Sequence, residues 1–302
     1  MTTMAPPPPA PPSVPPAPPT APPPLTPGGR TAIRVLLIGA AAVLVLGSIG
    51  ALTVAAWGMS TFRVITDSEV LPSTMRSLVV DTGELPVAVR VTAEGGATEP
   101  RADIRMVNST RAGAHPLTVS DDPAGTRIAI SGEPSPFLHW GRAGEITIVL
   151  PPDLARKLSV TSRQENGVLM AQADLDQLTA HIDNGAVLLS GSARRIEAHT
   201  ENGDVTTRSA ITVTDAFSAT ANDGDVEVVF SDPPPRTVDA ASDNGDIRIG
   251  VPSRGPFVVD ADTGSEHGST VVRVPRTTDP HSAASVITAR TANGDIVIDE
   301  VR

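Results

Sequence analysis

The chain of 302 residues has no cysteine and no tyrosine, with two tryptophans and five phenylalanines. Without cysteine there is no disulfide, no thiolate metal site and no thiol nucleophile, so stability rests on packing and strand hydrogen bonds. So few aromatic rings disfavour sugar-stacking clefts and nucleobase platforms. No acid precedes Asp67; all 34 acids follow, with 20 of the 23 basic residues, and the balance from there on is −14. Such a domain repels nucleic acid and anionic headgroups, so nucleic-acid binding is set aside. Lysine is nearly missing: Lys157 stands alone among arginines, and with many alanines and prolines this reads as the coding bias of a GC-rich genome. No Gly-x-Ser-x-Gly elbow, phosphate-binding loop or His-Glu-x-x-His occurs.

What is present begins with proline. Residues 1–29 hold 14 of the 30 prolines and no charge. Runs such as Pro6–Pro9 favour extended polyproline II without a core, predicting a disordered cytoplasmic tail over 1–32, either a spacer or a docking tail. Nothing charged lies between Arg34 and Arg63. About twenty apolar residues span a bilayer as a helix, which predicts a transmembrane helix over 33–58 with Trp57 in the interfacial belt. A cleaved signal peptide would have a shorter apolar core. Residues 59–76 read as a stalk and 77–302 as the ectodomain. Arginines flank the span on both sides, so orientation rests on the acidic, cysteine-free, strand-rich domain behind it: N-terminus cytoplasmic, C-terminal domain extracellular, in the cell membrane.

From Ser159 to Val301 the sequence repeats. Asn-Gly or Asp-Gly recurs, with glycines at Gly167, Gly185, Gly203, Gly224, Gly245 and Gly294. Seven places before each glycine stands a large apolar residue: Val160, Leu178, Ile196, Phe217, Val238, Ile287. Five places before stands a small one: Ser162, Ala180, Ala198, Ala219, Ala240, Ala289. Apolar residues return at even offsets after it. That is strand, turn, strand with one buried face. The glycine, with asparagine or aspartate before it, suits the left-handed backbone of a tight turn.

Two foldings fit. Asn-Gly between alternating strands is a strong hairpin signal, and a meander would satisfy the local pattern. A β-helix or β-solenoid satisfies it too and also explains the period near twenty residues, in which each unit needs neighbours to bury its apolar row. The expected fold is therefore all-β, a solenoid of strand-turn-strand repeats. A second strand-rich region precedes it, with strands expected at Ser77–Asp81, Val87–Thr92, Ala102–Asn108, Leu117–Ser120, Thr126–Ser131 and Glu145–Leu150. Phe137–Arg142 reads as a loop, with Trp140 capping the solenoid end. The pattern fades near Thr263-Gly264, and 255–280 reads as a looped-out insertion before a regular last repeat.

The Val149-Leu150-Pro151 strand end, Leu158-Ser159-Val160-Thr161, and the serial Asn-Gly-Asp-(Val/Ile)-x-(Val/Ile) units resemble the bacterial β-strand-repeat family known as “putative adhesins”. The resemblance covers about 77–302 and is of a membrane-anchored actinobacterial type. It implies a β-helix-like solenoid at the cell surface, with some members linked to envelope-stress responses. It implies no catalytic residues and no cofactor.

The chemistry-bearing residues are few. His181 and His199 hold equivalent places and would lie one rung apart, close enough for a shared metal, although this offset faces solvent. His115, His139, His267 and His281 lack metal-ligand spacing. Four aspartates follow turn glycines, Asp204, Asp225, Asp246 and Asp295, and Glu165, Asp183, Glu201 and Asp243 stand two before them. Stacked, they form an acid ridge whose repulsion calcium would relieve; otherwise each Asp accepts backbone N–H bonds in its own turn. Paired carboxylates for a polysaccharide hydrolase or lyase are the enzyme alternative, without a visible groove. The expected work is non-catalytic: adhesion, or a structural or interaction module of the envelope contacting an envelope polymer or protein, with stress sensing as the alternative.

Overall fold

The computed structural model describes residues 27–60, 62–109, 115–123, 125–132, 144–264 and 268–301. The chain divides into two units, 1–58 and 59–302. In the first, helix α1 runs Pro27–Ser60. The helix thus begins at Pro27, inside the stretch expected to be disordered tail, because no proline follows Pro27 to break it. Residues 1–26 of that tail lie outside the described residues. Among the described residues, no helix is long and apolar enough to cross a membrane.

The second unit is strand after strand. In chain order these are β1 (Phe62–Val70), β2 (Ser77–Asp81), β3 (Val87–Ala93), β4 (Arg101–Ser109), β5 (Leu117–Asp122), β6 (Gly125–Ile130) and β7 (Gly144–Leu150). A single helical turn, α2 (Pro152–Ala155), follows. Then come β8 (Ser159–Ala171), β9 (Leu175–Leu189), β10 (Ser192–Asn202), β11 (Val205–Thr207), β12 (Thr212–Asp223) and β13 (Val226–Val229). The last are β14 (Thr237–Asn244), β15 (Ile247–Pro252), β16 (Phe257–Thr263), β17 (Thr270–Arg273), β18 (Ser285–Asn293) and β19 (Ile296–Val301).

Their pairing is that of a solenoid. Strands before the corner glycines stack in one column in parallel register: β2, β8, β9, β10, β12, β14, β18, β16. Segments after the glycines stack in a second: β3, the far halves of β8 and β9, then β11, β13, β15, β19, β17. The strands flanking a corner pair in parallel with the rungs before and after, not with each other, so the hairpin meander is excluded. At the other end β6 and β7 lie outside β2 and β3, and antiparallel β5, β4 and β1 finish the columns.

The period-two pattern now has a physical destination. Val160, Leu178, Ile196, Phe217, Val238 and Ile287 are consecutive partners in one inward ladder, all buried. The small residues form the next ladder: Ser162, Ala180, Ala198, Ala219, Ala240, Ala289. The second column answers with Leu169, Val187, Val205, Val226, Ile247 and Ile296. Each rung alone is a flat strip with one oily face; burying an aliphatic side chain between rungs stabilises by about 1.5–3 kcal/mol. Phe217 and Phe230 meet edge-on inside, ring centroids 5.2 Å apart.

Three expectations are corrected. Residues 59–76, read as a stalk, contain β1, which pairs with β4 over its whole length, and Leu71 and Met75 are buried. Second, 255–280 is not a looped-out insertion: β16 and β17 form the terminal rung, with 265–267 outside the described residues. The last segment, β18–β19, stacks between that rung and β14–β15, so chain order and stacking order exchange there. Third, the expected left-handed backbone fails at one corner: φ is +149° to +158° at five of the glycines, inside the region that favours glycine, but Gly245 is not among them. The expected loop with Trp140 lies outside the described residues.

Candidate functional site

The corner column is where chemistry-bearing side chains gather. The corner backbones bond rung to rung: Gly203 N to Asp223 O, Gly224 N to Asn244 O, Gly245 N to Asn293 O, at 2.8–3.0 Å. This close approach is the reason for glycine. A Cβ added to Gly203 would land on the carbonyl oxygen of Gly185, and one on Gly245 would land on that of Gly224. Contact with the rung before demands the residue at every one of these corners, and positive φ adds to the demand at all but Gly245.

Two polar ladders climb beside the glycines. Before them, Asn202 Nδ2 donates to Asn184 Oδ1 at 3.2 Å, Asn244 Nδ2 to Asp223 Oδ1 at 2.8 Å, and Asn293 Nδ2 to Asn244 Oδ1 at 2.9 Å. After them stand the four aspartates of the expected acid ridge. The N–H of Asp225 donates to the carboxylate of Asp204 at 2.9 Å. Asp246 N donates to Asp225 at 2.8 Å, and Asp295 N to Asp246 at 3.0 Å. Ser269 ends the series, giving Asp295 both its N–H, at 2.8 Å, and its hydroxyl, at 3.0 Å. Those two bonds hold the Asp295 carboxyl below the usual carboxylate range, the backbone N–H contributing most. So each aspartate accepts a backbone N–H, as expected, but from the next rung and not from its own turn. Asp246 also holds Arg248 at 2.8 Å. The acids two before the glycines, Glu165, Asp183, Glu201 and Asp243, are exposed. Among the described residues no group of three or more His, Asp or Glu side chains is arranged to hold a metal ion.

His181 and His199 are direct ladder partners, ring centroids 6.1 Å apart and tilted by 58°. Arg163 and Thr220 continue their row. His115 Nδ1 faces Asp67 Oδ1 at 3.2 Å, and His281 donates its backbone N–H to Asp279. His139 and His267 lie outside the described residues.

Sequence reasoning missed two features. One is a buried hydroxyl column three places before the glycines. Thr200 donates to Gly203 O at 2.7 Å, Ser242 to Gly224 O at 2.9 Å and Thr291 to Gly245 O at 2.9 Å, satisfying carbonyls turned into the core. The recurring small hydroxyl at that offset was the available signal. The other is Arg194, which spans three rungs. It grips Asp176 with two bonds, 2.9 and 3.2 Å, and reaches Asp215 at 3.1 Å. An extra residue in β12 opposite Ala193–Arg195 makes the bulge that carries Asp215. The Arg194 hydrogen bonds hold the Asp176 carboxyl low and push the guanidinium up.

A shallow groove on β1, β4 and β7 is lined by Thr66, Ser68, Asp103, Arg105, Glu145 and Thr147. Two of its carboxylates are engaged: Asp103 accepts from Arg101 Nε at 3.0 Å, and Glu145 from Arg90 Nε at 2.8 Å. Asp67, also in the lining, has Oδ1 beside Ser68 N and His115 Nδ1, while its Oδ2 is buried without a partner among the described residues.

These features define an all-β stack of strand-corner-strand rungs held by inward apolar ladders and polar ladders at the corners. Residues 142–299, more than half the chain, match the family model Toastrack DUF4097, and the chain belongs to that family. No curated protein matches it. Among solved structures it is similar to a Bacteroides fragilis protein described as a “putative adhesin”: 14% identity over 79% of this chain and 97% of that one, TM-score 0.43. A Clostridium sporogenes “putative cell adhesion protein” is 12% identical over 79% of this chain and 100% of that one, TM-score 0.36. A Parabacteroides distasonis “putative lipid binding protein” is 12% identical over 79% and 97%, TM-score 0.40.

Proposed function

We propose that the chain is a non-catalytic cell-envelope protein: a β-solenoid displayed outside the cell on a single membrane-crossing helix, serving adhesion or envelope architecture. One observation carries the reading. The carboxylates of the acid ridge are engaged in building the stack, Asp225, Asp246 and Asp295 each tied to neighbouring rungs. What the solenoid offers to a partner is then a rigid surface of repeating side chains, such as the Arg163–His181–His199–Thr220 row. The anchor is supported by α1, whose large apolar side chains from Val35 to Ile49 stand 55–71% exposed, a costly state in water. The uncharged run from Val35 to Trp57 and the acidic domain beyond it support an N-terminus inside.

Stress sensing is the second reading, favoured by the proline runs ahead of α1, which suit an aromatic-lined partner groove. The test is a cell expressing 1–60 without the strand-bearing part that begins at β1. Reduced attachment with normal envelope-stress response supports adhesion; normal attachment with an altered response supports sensing. Protease added to intact cells should remove the solenoid, and full protection would overturn the orientation.

A further inference from the structure

The stack is unfinished at one end. Among the described residues strand β17 pairs on one side only, with β19, and β16 pairs with β18 and, on its other side, through Phe257 with Arg276 alone. The remaining edge, Val258–Asp262 and Thr270–Arg273, carries backbone donors and acceptors ready for another strand. Its inward side chains show the same lack of cover. Val259, Ala261 and Val272 are half-buried, while their ladder partners Ile287, Ala289 and Ile298 are 0% exposed.

Charge says what fits there. On the outer face at this end Arg290 donates to Asp260 at 2.9 Å, and Arg273 meets Asp299 at 3.3 Å. Asp260 and Arg273 are the outermost members of their pairs, one acidic and one basic. Through their partners Thr288 and Asp299 they lie six and five residues from the corner glycine Gly294, at matching depth along the rung. A two-fold axis along the strands would therefore lay β16 antiparallel on β17 of a second copy, with Asp260 across from Arg273. The row then reads Arg290, Asp260, then Arg273 and Asp299 of the second copy, alternating in sign throughout. The other two-fold setting, β16 on β16, brings Asp260 and Asp262 against acids and is disfavoured.

We propose that this end is an interface between two copies of the chain, each β16 completing the other's β17. The proposal goes beyond the adhesion reading and stands whether or not α1 crosses a membrane. Its partner is a second molecule of the same chain, and the contact buries Val259, Ala261 and Val272 under a new rung.

The test uses the full chain in detergent, whose lack of cysteine allows clean trapping. Variants Asp260→Cys and Arg273→Cys are mixed under mild oxidation. A disulfide-linked dimer forming in the mixture, and not in either variant alone, supports the pairing. Sedimentation gives the second measurement. Asp260→Arg and Arg273→Asp should each weaken the dimer at least about tenfold by setting like charges face to face. The two together should restore it, and melting temperatures at wild-type values would show each variant folded. A monomeric wild type overturns the proposal. So do a dimer indifferent to both charge reversals, a disulfide forming equally in Asp260→Cys alone, and a double variant that fails to recover.

Discussion

The amide of Asp225 donates to the carboxylate of Asp204 at 2.9 Å, across 21 residues of sequence and one rung of the stack. The same bond recurs from Asp246 to Asp225 and from Asp295 to Asp246. Replacing Asp225 with Ala removes the acceptor for Asp246. Because the site is exposed, water takes over part of the bond, and the expected loss is about 0.5–1.5 kcal/mol by denaturant unfolding. Among the described residues no three of these carboxylates converge where one calcium ion could take them as ligands. Melting temperatures in calcium and in chelator are expected to coincide, and a clear rise with calcium would restore an ion to the ridge.

Acid should weaken the fold through named groups. Asp176, held by Arg194, and Asp295, held by Ser269, both have folded carboxyls lower than in the unfolded chain. Their contribution is present above the unfolded value of about 3.9 and is lost as pH falls through the lower folded ones. Melting temperature is therefore expected to drop from about pH 4 downward. Arg194→Leu should flatten that drop, whereas Ser269→Ala, which keeps the backbone N–H on Asp295, should flatten it only slightly; an unchanged acid slope in Arg194→Leu would mean that Asp176 does not feel its partner.

Much of this fold was legible in the sequence. The apolar residue seven before each glycine, from Val160 to Ile287, marks one physical ladder because parallel rungs in register put equal offsets side by side. Stacking order at the end was not legible. Val259 and Ala261 match the ladder chemistry of Ile287 and Ala289, so nothing local says which rung lies outermost. Nor was β1, whose alternation in Phe62–Val70 is masked by Arg63, Asp67 and Glu69. In the corner, the asparagines, glycines and aspartates were visible, but a bond to the next rung and a bond within the same turn leave the same residues in sequence.

The glycine column gives a sharper test. Gly203 has φ +153°, and a Cβ there meets the Gly185 carbonyl oxygen. Gly203→Ala is expected to cost about 2–4 kcal/mol, since backbone has to shift. Gly245→Val should be comparably harmful although its φ is outside the left-handed region, because the added atoms fall on the Gly224 carbonyl. Wild-type melting of Gly245→Val would mean that the corners are further apart than 2.8–3.0 Å hydrogen bonds allow.

Asp223 is the one acid in an otherwise amide ladder. It accepts from Asn244 but, lacking a donor, gives nothing to Asn202 below it. Asp223→Asn keeps the acceptor, adds an N–H toward Asn202 and removes a negative charge from an acidic domain. We expect a gain of about 0.5–1 kcal/mol by calorimetry. A loss would mean that the charge itself is needed at that corner.

The exchanged order at the end makes the rung of β18 and β19 an interior one. Ile287 pairs with Val238 on one side and Val259 on the other, and is 0% exposed. In a stack following chain order, a residue so near the end would sit in a fraying outer rung and tolerate truncation. Here Ile287→Ala opens a cavity between two rungs and should cost about 2–5 kcal/mol, as much as Ile196→Ala in the middle. Val259→Ala, on the true outer rung, should cost clearly less because its side chain is only half-buried. Comparing the three by urea unfolding decides the order: if Val259→Ala proved the most damaging of them, β18–β19 would be the outer rung after all.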